Sequence, residues 1–186
     1  MFIQTEVTPN PQTLKFLPGE TVVGDGGTRD YQSAEEAGES PLAERLFAVA
    51  GVTGVFLGSD FVSVTKDDGD WQHLKPAVLG AIMEHYLSGV PVLADESVPE
   101  AGDAEFYRPE DEDTVTMIKE LINERVRPAV AGDGGDIIFK GYKEGVVYLS
   151  MRGACAGCPS STMTLQMGIQ NLLRHFVPEV EEVRPV

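Results

Sequence analysis

Cys155 and Cys158 are the two thiols of this 186-residue chain, and they stand together in a C-x-x-C. Two thiolates at that spacing either chelate one soft metal or close a small disulfide by thiol exchange. A tetrahedral zinc or a Cys-ligated iron–sulfur cluster takes four ligands. A metal reading therefore requires a second copy of the chain or a thiol from outside. Inside a reducing compartment a C-x-x-C is metal-binding or catalytic more often than it is a permanent staple.

The neighbours of the pair favour an open, anionic site. Gly153, Ala154, Ala156 and Gly157 leave little bulk around the sulfurs, so backbone N–H groups or a second chain can approach. Pro159 disfavours helical geometry at Cys158, which predicts a helix beginning after the motif. Leu165, Ile169, Leu172, Leu173 and Phe176 supply its apolar stripe to about residue 177, and its N-terminal dipole favours thiolate over thiol. Ahead of the motif, residues 137–142 and 146–151 alternate as a hairpin around Lys143-Glu144-Gly145. A helix over 111–126, with Val115, Ile118, Leu121, Ile122 and Val126 inward, precedes them, and residues 180–183 read as a last strand. The order is α-β-β-α-β, with the cysteines at the β-to-α joint.

The rest of the chain reads as a second small α/β domain on an acidic tether, giving an α+β protein with a domain over 1–92, a linker over 93–110 and the cysteine domain over 111–186. Strands are predicted at 2–7 and 13–17, with a short edge at 21–23 and a Gly-rich surface loop over 24–38. Ser40-Pro41 opens a helix. Residues 52–57 and 61–66 form a hairpin, and Asp70 caps a helix over 71–87. Arg127-Pro128 and residues 131–136 read as a breaker-rich connection. The linker carries Asp95, Glu96, Glu100, Asp103 and Glu105, a self-repelling spacer by composition.

Gly134-Gly135-Asp136-Ile137, the hairpin, and Gly153-Ala154-Cys155-Ala156-Gly157-Cys158-Pro159-Ser160-Ser161-Thr162 resemble the C-terminal domain of the NifU-like (Nfu) iron–sulfur scaffold and carrier proteins. Residues 2–6, Thr8-Pro9-Asn10-Pro11 and Leu14-Lys15-Phe16 resemble the N-terminal domain that precedes it. The resemblance implies a non-enzymatic carrier holding a [4Fe-4S] cluster between subunits. Cys155 and Cys158 of each copy would be its ligands, and recipient apo iron–sulfur proteins and upstream assembly proteins its partners. The competing readings are a [2Fe-2S] form, a dithiol-disulfide oxidoreductase and a zinc-bridged dimer. A thioredoxin-type site would need a βαβ unit ahead of the motif, where this chain has a hairpin.

Composition narrows the partners. The formal charge of -16 argues against nucleic acid and anionic membranes. Residues 1–113 hold 6 Lys and Arg against 22 Asp and Glu, whereas residues 114–186 hold 8 of each, so the whole excess lies ahead of residue 114. No basic or apolar leader opens the chain, which points to a bacterial cytoplasm, or to a mitochondrial matrix in a eukaryote. Asp133 and Asp136 are read as turn residues bonding local N–H groups. Met163 and Met167 are read as core or interface filler, His73, His85 and His175 as structural or surface residues, and Trp71 as a core anchor.

Overall fold

The computed structural model describes residues 1–24, 28–94, 105–154 and 159–186, the side chains of 159–161 excepted. Two units emerge, Met1–Ala101 and Gly102–Val186, and each is α+β. In the first, β1 (Gln4–Val7), β2 (Thr13–Leu17), β3 (Arg29–Tyr31), β4 (Val52–Leu57) and β5 (Val62–Lys66) form an antiparallel sheet in the order β1-β2-β5-β4-β3. Period-2 alternation puts Leu14 and Phe16, Val55 and Leu57, and Val62 and Val64 into one core. Helices α1 (Pro41–Phe47) and α2 (Trp71–Ser88) close that core with Leu42, Leu46, Val78 and Ile82.

Both helix starts follow from their caps. Ser40 Oγ accepts the Ala43 amide at 3.1 Å and donates to the Val92 carbonyl at 2.7 Å, so one hydroxyl both caps α1 and pins the chain returning from α2. Asp70 accepts the Gln72 amide at 2.9 Å, and Gly89, at φ 71°, ends α2 in the left-handed region. Trp71 packs its ring 6.4 Å from that of Phe16 and donates Nε1–H to the Pro11 carbonyl.

Residues 21–23 do not form the expected edge strand. The Val22 and Val23 amides donate instead to the Ser59 and Gly58 carbonyls in the β4–β5 turn. The expected surface loop over 24–38 contains β3, paired antiparallel with β4, and a 3-10 turn, Glu36–Glu39, that buries Ala37 completely. Three residues with two charges among them carry no periodic signal, and only the partner strand makes Arg-Asp-Tyr a strand.

In the second unit α3 (Glu112–Leu121) runs through a π-turn, Ile122–Val126, into α4 (Arg127–Gly132). The sequence predicts a break at Arg127-Pro128; the structure continues the helix. Pro128 lacks an N–H and would crowd the carbonyl one α-turn back. The wider turn, closed by the Arg127 amide on the Ile122 carbonyl, places Pro128 in the first turn of α4 instead. Strands β6 (Gly135–Lys143) and β7 (Val146–Gly153) form the predicted hairpin around Glu144 and Gly145, both at positive φ, as a two-residue type I′ connection requires. Helix α5 (Pro159–Phe176) leads to β8 (Glu182–Pro185), parallel to β7. The expected final strand lies two residues later than predicted because Val180, fully buried, turns the chain by donating to the Val177 carbonyl. The core joins Ile118, Ile122 and Val130 to Ile137, Val147, Leu149, Ile169, Leu173 and Val183.

Within the stretch assigned to the linker, residues 95–104 lie outside the described residues. Phe106 pairs with the β6 edge, its amide donating to the Lys140 carbonyl and its carbonyl accepting from the Tyr142 amide. Its ring occupies the space a side chain at Gly141 would need, 2.5 Å from an added Cβ. Glu105 meets Lys119 with both carboxylate oxygens at 2.9 Å.

His85 on α2 is fully buried, and among the described residues neither ring nitrogen has a hydrogen-bond partner. Burial, with the nearby Arg45 charge adding to it, pushes its pKa below the ordinary imidazole value. The unfolded state then binds the proton more readily. The stability that neutral His85 preserves is present above about pH 6.5 and is lost as pH falls below it toward the lowered folded pKa, with a slope of at most about 1.4 kcal/mol per pH unit. Thermal melting of the full chain should show its first domain weakening as pH falls below about 6.5, and His85→Phe should flatten that dependence. An unchanged pH profile in the variant would assign the acid sensitivity elsewhere.

Candidate functional site

Cys155 and Cys158 lie outside the described residues; the frame on either side of them is defined. β7 carries the chain to Gly153, at φ 67°, and the buried Ala154. The Ala154 amide donates to the Gly134 carbonyl at 3.2 Å. Gly134 itself sits at φ 80°, where a side chain would be strained. Gly135 is registered against Gly153, and Asp136 against Arg152. On the far side, α5 starts at Pro159, as the pre-proline restriction at Cys158 predicts.

Asp136 is the charged group at the base of this frame. It is buried, and its Oδ1 accepts both the Ile137 amide at 2.8 Å and Arg127 Nε at 2.9 Å, while Oδ2 accepts Arg127 Nη2 at 2.8 Å. The planar guanidinium and the carboxylate form a bidentate pair, and Arg127 also donates to Asn123 Oδ1 at 3.3 Å. Hydrogen bonding to Asp136 holds the Arg127 pKa above its already high value. The reading of Asp136 as a turn residue is thus half right: it bonds a local amide, but its principal partner is a cation from the helix side. Sequence inspection missed Arg127, because a partner nine positions away across a presumed helix break leaves no spacing signal. The pair ties the π-turn and α4 to the first residues of β6, which pair with Arg152 and Gly153 at the end of β7.

Other residues singled out by sequence fall elsewhere. Met163 and Met167 on α5 are 66% and 61% exposed, so they are not core filler. His175 stacks edge-on against Phe176 near the end of α5, and His73 and His85 belong to α2 of the first unit. Asp133 terminates α4, its amide bonded to the Ala129 and Val130 carbonyls. Among the described residues no helix is long and apolar enough to cross a membrane.

Fold and motif together define a two-domain α+β chain with a thiol pair at the hairpin-to-helix joint of its second domain. Residues 3–89 match the family model for the scaffold protein Nfu/NifU N terminal, and residues 118–184 match the NifU-like domain. The chain belongs to the NifU-like (Nfu) family, with an Nfu N-terminal domain ahead of a NifU-like domain. Relatives include the protein named "NFU1 iron-sulfur cluster scaffold homolog, mitochondrial" of Drosophila ananassae, 52% identical over 187 residues, and its Drosophila erecta counterpart, 53% identical over 187 residues. All of this chain is covered in both alignments, and it spans 64% and 65% of those proteins, just under two thirds of their length. A solved NifU-like protein from Saccharomyces cerevisiae is 28% identical at a TM-score of 0.47, covering 51% of this chain and 86% of its own.

Removing one member of a buried ion pair leaves the other uncompensated. Asp136→Ala should lower the stability of the second domain by about 2–4 kcal/mol, the half-exposed Arg127 keeping the loss below that of a fully buried pair. Urea unfolding of the full chain checks this; a change under about 0.5 kcal/mol would mean that water replaces the carboxylate freely.

Proposed function

We propose that this chain is an iron–sulfur cluster carrier that takes up a [4Fe-4S] cluster on Cys155 and Cys158 of two copies and hands it to recipient apo-proteins. The observation that carries the reading is the thiol pair itself, placed by sequence within the residues matched to the NifU-like domain. The relatives' printed names, iron-sulfur cluster scaffold homologs, support it. The work is non-enzymatic, and the cluster is cargo.

The chemistry is ligand exchange without redox change. Each iron is held by one thiolate, and four thiolates complete the set. As a recipient thiolate bonds to an iron, the bond from that iron to Cys155 or Cys158 breaks, the cysteine leaves as thiolate and takes a proton from solvent, and electrons and charge are conserved. Two ligands per copy make each half-site weak alone, which suits a cargo that must leave. The first domain is assigned to recognition of recipients, and the acidic stretch between the domains to keeping its excess negative charge away from the anionic cluster. The relatives' mitochondrial naming supports a matrix location if the source is eukaryotic, with the cytoplasm as the bacterial counterpart.

Anaerobic reconstitution with iron and sulfide should give a brown protein with one [4Fe-4S] cluster per two chains by metal and sulfide analysis. Cys155→Ser or Cys158→Ser should abolish retention, with melting behaviour close to that of the parent. A colourless parent under conditions that load a control scaffold would sink the proposal, and iron-independent turnover in a disulfide-exchange assay would replace it with the oxidoreductase reading.

A further inference from the structure

Up to Leu173 no residue of α5 is charged, where soluble helices ordinarily carry charge on their solvent side. From Gly153 to Leu173 the sequence runs 21 residues without a Lys, Arg, Asp or Glu, in a chain that is 24% charged. The inward stripe accounts for Ile169 and Leu173, and Gln166 and Gln170 turn their side chains to the backbone of Val183. That leaves Met163, Thr164, Met167, Gly168 and Asn171 exposed on the other side. The methionines, one turn apart, form an apolar ridge, and an added Cβ at Gly168 would meet nothing within 4 Å, so the helix backbone is approachable there. Charged residues resume at Arg174.

We propose that this face of α5, with Met163 and Met167 at its centre, is where a second copy of the chain docks to complete the shared thiolate site. The inference rests on the carrier reading. Two observations choose a second copy as occupant. Two cysteines are half of a four-thiolate set, and Pro159, directly after Cys158, is the first residue of α5. Two copies that share one cluster through their motifs must therefore bring their α5 starts together. The second observation is charge: each copy carries -16, so like copies meet with least repulsion where neither presents a charge. Charge depletion and Met enrichment are the compositional marks of an interface core, and a two-fold contact is self-complementary, ridge against ridge.

The test uses the full chain, native mass, cluster lifetime in the presence of an iron chelator, and sedimentation. The cluster-loaded parent and Met163→Leu/Met167→Leu should have two-copy mass. Met163→Lys/Met167→Lys, which places like charges on both sides of the contact, should stay folded by circular dichroism, lose the two-copy mass and shed cluster at least about 10-fold faster, the scale expected when central contacts are lost. Should the double Lys chain fail to fold, Gly168→Lys makes the same measurement at a site with free space. Two-copy mass and parental lifetime in the Lys variants would overturn the surface. So would a loaded parent of single-copy mass whose Lys variants lose only transfer to a recipient, which would assign the face to clients. A parent that takes up no cluster would end the carrier reading. The surface would then stand or fall on sedimentation of the cluster-free chains: about 10-fold weaker self-association in the Lys variant supports it, and equal constants overturn it.

Discussion

The bidentate pair between Arg127 and Asp136 joins the helices that open the second domain to the start of its hairpin. Asp136 follows Gly135, the residue that opens β6, and stands opposite Arg152 near the end of β7. Arg127 anchors it to a helix that would have ended at Pro128 without the π-turn. The sequence of dependence is physical: the π-turn admits the proline, the proline-bearing helix aims the guanidinium, and the guanidinium fixes the start of β6, directly after Gly134, whose carbonyl accepts the Ala154 amide. A planar fork against a carboxylate has one good geometry, so the pair constrains direction as well as distance.

Charge is organised on a larger scale. The acidic excess belongs to residues 1–113, while residues 114–186 are balanced. Within the balanced stretch the thiol motif and most of the next helix are free of charge altogether. On the carrier reading this leaves one face on which two like-charged copies can meet. The end of the acidic stretch does not float free: Phe106 is taken up by the β6 edge over Gly141, and Glu105 by Lys119, so the second domain secures its own entry.

Elements with strong periodicity or strong punctuation were legible in advance. The Ser40-Pro41 and Asp70 helix starts, both hairpins, the stripe of α5 and the α-β-β-α-β order rest on local chemistry: a cap accepts the amide two or three residues ahead, and alternation selects a face whatever lies across from it. The misreadings share a cause. β3, the buried Ala37 and the docking of Phe106 each depend on a partner far along the chain, and the helix running through Pro128 depends on a π-turn that residue types do not announce. Glycine, proline and acidic residues there masked structure that tertiary pairing supplies.

By itself the sequence determined the chemistry on offer: two thiols, their spacing, the small residues around them, the uncharged helix after them and the acidic chain before. Those are properties of residue type and order, and they leave one copy two thiols to offer. Tertiary structure decided how that chemistry is held and what is left outside. Which carboxylate is buried against which guanidinium, and which side of α5 remains exposed, follow from how the helices and the hairpin pack around one core, and packing is a property of the whole domain that no local window contains.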